Sequence, residues 1–188
     1  MDKKWIGIGI VVLVIVLIGG FFFTKYNELV SLSEKIDSKY SDIDTQLQRR
    51  ADLIPNLVSS VKGIMSHEQE AIDKITDART KLVNAKDVTE KANADNELTK
   101  ALNNFVVIAE AYPDLKANTN YNTLMDELAG TENRIATSRK DYNEAVEKYN
   151  SFIKKIPTSL VAKMFGFNEK DYFKAADGAN EVPQVNFN

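Results

Sequence analysis

Imidazole and thiol side chains, the usual transition-metal ligands, are scarce in this chain, which has one histidine and no cysteine. His67-Glu68 opens like the helix motif of zinc proteases, but that chemistry needs a second His four residues after the first, and position 71 is Ala71. The spacing therefore predicts no zinc site, and His67 reads as a polar residue on a solvated helix face. Carboxylates are plentiful at Asp42 and Asp44, at Glu68 and Glu70, and at Asp126, Glu127 and Glu132. General acid–base work needs two such groups held in a pocket with their pKa values pushed apart, which regular spacing on a solvated helix does not supply. They read instead as ion-pair partners for Lys and Arg one turn away. There is no phosphate-cradling glycine loop, because four of the eight glycines fall in one apolar run near the amino terminus. With no GxSxG and no thiol nucleophile, the expectation is a protein without catalytic residues, cofactor or metal.

Two polar groupings are better suited to binding than to reaction. Arg49, Arg50 and Asp52 lie just before Pro55 and would form a polar docking point beside a bend. Tyr112-Pro113-Asp114 reads as a turn, in which Tyr112 and Asp114 could meet a partner, although a turn with a packed aromatic is the commoner arrangement. Arg50 and Glu68 also fall on an otherwise apolar seam. A charge facing a core costs several kcal/mol unless it is paired, so each should snorkel at the seam edge or pair across helices.

The elements that must carry these residues begin with an anchor. After a charged stub of residues 1–4, residues 5–23 are uncharged and would span roughly 28 Å as a helix, close to the hydrocarbon thickness of a bilayer. A cleaved export signal is the rival reading, since Lys3 and Lys4 precede an apolar centre. Gly19-Gly20 is followed by Phe21, Phe22 and Phe23 rather than by a small residue at cleavage spacing, which favours an uncleaved single-pass helix. Trp5 at one edge and Phe21 to Tyr26 at the other suit aromatic belts. Lysines flank both ends, so the charge rule is balanced. The orientation expected is a cytoplasmic amino terminus with the bundle outside. A net charge of −3 with interspersed signs offers no basic face to nucleic acid.

Residues 24–156 carry long helical patterns. Positions 29, 33, 36, 40, 43, 47, 50, 54, 57, 61, 64, 68, 71, 75, 78, 82 and 85 alternate steps of four and three, and only Ser33, Arg50 and Glu68 among them are neither apolar nor aromatic. Pro55 sits inside this seam, where it removes the bond to the Ala51 carbonyl. Either one kinked helix passes through it, or the chain reverses near residues 49–56. The first break after the seam is expected at residues 84–87, where Asp87 and Glu90 form a capping-box pattern. A second helix then carries Leu98, Ala101, Leu102, Phe105, Ile108, Ala109 and Tyr112 up to Pro113, and a short connection should make the next helix antiparallel. That helix has its own seam, Leu124, Leu128, Thr131, Ile135, Ser138, Tyr142, Ala145, Tyr149, Phe152 and Ile156, and stops before Pro157. The tail, residues 157–188, mixes glycines with Phe165, Phe167, Tyr172, Phe173 and Phe187. It is expected to pack on the bundle or touch the membrane surface, with short helices around Leu160 and Lys170. The fold class is all-α, an antiparallel bundle of three or four long helices after one N-terminal transmembrane helix. A seam longer than its cover within the chain would also invite self-association.

At SDIDTQLQRRADLIPNLVSSVKG (residues 41–63), AEAYPDLKAN (109–118), TENRIATSRKDYNEAVEKYN (131–150), FGF (165–167) and YF (172–173), the chain closely resembles the LemA family. With the apolar amino terminus, the resemblance covers nearly the whole sequence. It implies a bacterial single-pass membrane protein with an antiparallel helical bundle, and it brings no established enzymatic activity, cofactor or catalytic residue. Relatives are associated with membrane-embedded metalloproteases and envelope organisation, and a magnetosome-membrane protein belongs to the same group. For this chain the expectation is a membrane-anchored interaction or scaffold protein of the envelope, with a membrane or envelope protein as partner. The alternative is an accessory factor of a membrane metalloprotease or of an envelope stress response.

Overall fold

The computed structural model describes the backbone of residues 3–174, with the side chains of residues 3, 4 and 6 left aside. Every regular element in that range is a helix: α1 (Lys3–Val61), α2 (Gln69–Asn84), α3 (Val88–Ala109), α4 (Pro113–Lys116), α5 (Thr119–Lys154) and α6 (Thr158–Phe165). Two compact units form, one from the described residues up to 39 with 143–170, the other from 40–142 with 171–174, and both α1 and α5 run through the two.

α1 is unbroken across Pro55, which settles the choice between a through-running helix and a reversal. The missing proline N–H leaves the carbonyl of buried Ala51 without its helical partner. Arg79 of α2 fills that vacancy, donating from Nε to the Ala51 oxygen at 2.8 Å. Pro55 itself is solvent-exposed, on the side away from the seam, so its ring displaces no core side chain. The seam residues Leu29, Ile36, Ile43, Leu47, Ile54, Leu57 and Val61 are all buried by the chain's own helices.

One boundary departs from the sequence reading. The helix ends at Val61, and residues 62–68 form turns before α2 starts, so the seam does not run unbroken to residue 85. Gly63, a poor helix former, lies where α1 ends. Burial shifts accordingly from the expected positions 64, 68 and 71 to Met65 and Ile72, then rejoins the pattern at Ile75, Ala78 and Leu82. A helical phase cannot survive several non-helical residues, and its return at Ile75 reflects the new start of α2. The other boundaries follow local chemistry. Asp87 caps α3 by accepting from the Glu90 N–H at 2.7 Å, while Glu90 reaches back to the Lys86 N–H at 2.8 Å.

In the unit built on residues 40–142, cross-helix contacts set the directions. Tyr40 faces Tyr142, Gln46 faces Arg134 and Arg49 faces Glu127, so α1 and α5 are antiparallel. Arg79 meets Ala51 and Lys81 meets Glu97, which places α2 against both α1 and α3. Phe105 packs on Tyr121, joining α3 to α5. The result is a four-helix antiparallel bundle.

The other unit pairs the first part of α1 with the end of α5 and with α6, around Leu29, Ile36, Val146, Tyr149, Ile153 and Val161. α5 ends at Lys154, two residues short of the expected Ile156, which projects into solvent while Ile153 takes the buried place. α6 forms at Leu160 as expected, but no helix forms around Lys170. There the buried side-chain amide of Asn150 clamps an irregular stretch of chain, donating to the Lys170 carbonyl and accepting from its N–H, both at 2.9 Å. Gly178, Pro183 and Phe187 lie outside the described residues.

Candidate functional site

The feature that a plain helical bundle does not need is a group of four charges in the residue 40–142 unit, of which Arg50 and Asp95 are buried and Glu132 and Arg139 partly exposed. Arg50 lies on the α1 stripe between Leu47 and Ile54, and so its side chain has no route to water except past neighbouring helices. Asp95 extends the α3 stripe of Leu98, Leu102 and Phe105 by one step and is fully buried. α5 supplies Glu132, next to buried Thr131, and Arg139, two turns further on. Arg50 Nη1 donates to Asp95 Oδ1 at 2.7 Å and stands 2.7 Å from Glu132 Oε2, a charge contact whose angle is too poor for a hydrogen bond. Arg139 Nη2 binds the second oxygen of Asp95. Both carboxylate oxygens of Asp95 are therefore occupied by guanidinium groups, and the formal charges of the four residues cancel.

Burial raises the Asp95 carboxyl above the usual carboxylate range, a shift that Arg50 and Arg139 offset only in part. Each carboxylate oxygen of Asp95 thus accepts from a guanidinium group, which holds the side chain in one orientation. The evident effect of the cluster is on register: it ties one height on α1 to one height on α3 and one on α5. Arg50 Nε and Arg139 Nε make no hydrogen bond among the described residues, which marks the cluster as held by charge more than by complete pairing.

Arg50 and Glu132 also form one wall of a cleft of about 450 Å³ between α3 and α5, floored by Leu102, Val106, Met125 and Leu128. Its polar groups are Thr99, Asn103 and Asn133. None of these is an activated nucleophile, since no base stands beside the Thr99 hydroxyl, which is spent on the Asp95 carbonyl at 2.9 Å.

The residues expected to dock a partner are not gathered in one place. Arg49 is exposed and pairs with Glu127 at 3.3 Å, and Asp52 is exposed and accepts from Gln48 at 2.8 Å. Arg50, their neighbour in sequence, points inward, because a helix turns successive residues by about a hundred degrees. Tyr112 and Asp114 stand at the α3–α4 turn. There the Tyr112 hydroxyl donates to Glu68 Oε1 at 2.8 Å, tying that turn to the one before α2, and the phenol pKa is raised by this bond to the carboxylate. Glu68, the second seam-breaker, is thus accounted for by a loop-to-loop bond and not by the core. Asp114 is exposed beside Leu115, which anchors the turn in the interior.

Sequence reasoning named Arg50 as needing a partner but did not find Asp95 or Arg139. For Asp95 a signal exists: continuing the 98, 102, 105 stripe back by three residues lands on it. Arg139 stands one position beyond the seam residue Ser138 and gives no such signal.

An exposed apolar helix running on into helices whose buried charges neutralise one another defines a membrane-associated helical-bundle protein. The profile of the LemA family matches residues 39–187, and the chain belongs to that family. Among its relatives, magnetosome protein MamQ 2 of Paramagnetospirillum magneticum is 29% identical over 190 residues, covering 86% of this chain and 70% of the relative. Magnetosome protein MamQ of Magnetospirillum gryphiswaldense is 26% identical over the same coverage. Protein LemA of Metamycoplasma hominis is 28% identical over 167 residues, covering 87% of this chain and 76% of the relative. None of these names denotes an enzyme.

Proposed function

We infer that the protein is a membrane-anchored scaffold of the bacterial envelope that binds another membrane or envelope protein and has no catalytic activity of its own. The observation that carries this reading is the contrast between the two stretches of α1. Over residues 7–21 of the apolar run the described side chains lie open on every face, as an anchor in lipid requires, whereas Leu29, Ile36, Ile43, Leu47, Ile54, Leu57 and Val61 of the seam are buried by the chain's own helices. Neighbouring proteins then meet the solvated faces of the helices and not the seam. The names of the relatives support an organelle-membrane or envelope setting in bacteria. The orientation we favour puts the amino terminus in the cytoplasm and the bundle outside, and the anchor is residues 5–23.

The docking residues in this reading are Arg49 and Asp52 on α1, with Tyr112 and Asp114 at the α3–α4 turn. A photo-reactive amino acid placed at Asp52 or Asp114 in cells should give a discrete crosslinked product with a membrane protein, and Arg49→Glu should weaken the product at position 52. Arg49 is a surface residue whose ion pair is worth at most about 1 kcal/mol, so the variant should remain folded. Recovery of no adduct at either position, together with no self-association in the membrane, would remove the scaffold reading.

A further inference from the structure

We propose that α6 and Ile156, two residues before it, form a second, interfacial membrane contact, which lays an apolar face into the same leaflet that the anchor leaves. This rests on the anchoring of residues 5–23 and goes beyond it, because it assigns a lipid-binding surface to the other end of the chain.

Three observations meet here, all in the unit that contains the anchor. First, α6 has two unlike faces. Thr158, Val161 and Ala162 are buried, whereas Leu160 and Met164 are 56% and 67% exposed and Ile156 ahead of them is 86% exposed. Residues 160 and 164 are one helical turn apart and share a face with exposed Lys163, and Lys155 adjoins Ile156. An apolar stripe edged by lysines is the composition of helices that lie in a headgroup layer.

Second, the height of this face along α1 is given by side-chain contacts. Lys25 Nζ stands 5.9 Å from the Phe21 ring centre and 5.0 Å from that of Phe152, so the end of α5 is level with the end of the apolar run. The chain continues beyond Phe152 in the direction of the anchor, because α5 runs antiparallel to α1, and Ile156 comes next. Third, Tyr26 packs against Phe165 at 4.8 Å and edge-on against Phe167 at 5.8 Å between ring centres, which pins the carboxyl end of α6 beside the first residues after the anchor. Tyrosine and phenylalanine at that depth match an interfacial aromatic belt.

The occupant that fits is the bilayer and not a protein partner. The face is continuous with a helix that is itself bare and apolar at Phe21 and Phe23, and any leaflet that receives the anchor lies within reach of Ile156. Lys155 and Lys163 would sit near anionic headgroups.

The test uses the full chain, which contains a single tryptophan, Trp5. In a Trp5→Phe/Leu160→Trp variant reconstituted into phosphatidylcholine–phosphatidylglycerol vesicles, the reporter should emit at blue-shifted wavelength and lose intensity when the lipids are brominated. Circular dichroism checks the fold, and Met164→Trp in the same background serves if the first variant unfolds. A water-like emission insensitive to brominated lipid overturns the proposal. So does a blue-shifted emission that bromine does not quench, because a protein surface and not lipid would then cover the face. Flotation of the same vesicles separates the two claims: a chain that floats without quenching keeps its anchor and loses this contact, and a chain that fails to float loses both.

Discussion

Arg50 and Asp95 show what it takes to keep a charge inside a helical bundle. Neither could be buried alone, since removing one partner of a buried pair costs about 3–5 kcal/mol. Asp95→Asn should therefore lower stability by about 3–5 kcal/mol, because it removes the carboxylate that Arg139 binds and leaves buried Arg50 with only the partly exposed Glu132. Denaturant unfolding of the full chain in detergent micelles, followed by circular dichroism, measures it. A replacement of the whole set by apolar residues of similar volume should recover much of the loss, as charge burial is costly in itself. If Asp95→Asn is neutral, the cluster is solvated in a way its geometry does not suggest. Arg79 makes a second residue-scale point. It is a basic residue on an amphipathic helix with nothing in its local sequence to single it out, yet it supplies the hydrogen bond that Pro55 removes from α1, twenty-four positions away in the chain.

At the level of the element, Pro55 and Arg79 form one device. Replacing Arg79 by Met strands the buried Ala51 carbonyl, at a cost of about 1–3 kcal/mol. Pro55→Ala restores an N–H to that carbonyl and should make the Arg79 change much cheaper. A double-mutant cycle on these two positions should show a coupling energy well above the few tenths of a kcal/mol expected of independent sites. Additive effects would mean the 2.8 Å contact contributes little. The same device explains why periodicity could not choose between a kinked helix and a reversal at residues 49–56. A proline in phase with a seam is compatible with both until the fate of the orphaned carbonyl is known. Elsewhere the elements were plainly legible: Asp87 and Glu90 capped α3 as their spacing indicates, since both bonds lie within five residues. The break at residues 62–68 was missed because the apolar positions on its two sides fall back into the same phase, and only the loss of helical backbone between them shifts burial to Met65 and Ile72.

For the molecule as a whole, attachment and shape of the core have separate causes. Deleting residues 1–23 should release the protein from the membrane fraction on carbonate extraction, or leave only a weak, salt-sensitive association through α6. Full retention of the truncated chain in the membrane would place the principal anchor elsewhere. Residue types at fixed local spacing were enough to give the apolar amino-terminal helix, the all-helical class, the seams on α1, α3 and α5 and the absence of a metal-binding His pair. They were also enough to require a partner for Arg50, since the cost of a lone buried charge is general. The identity of that partner waited on the packing of the helices, as did the place of Asp95 between two arginines, the service of Arg79 to Pro55, the bond from Tyr112 to Glu68 and the outward turn of Leu160 and Met164 beside the end of the apolar run. Each of these depends on residues far apart in the chain, and the distance between such residues follows from how helices settle against one another, a quantity that no local period encodes.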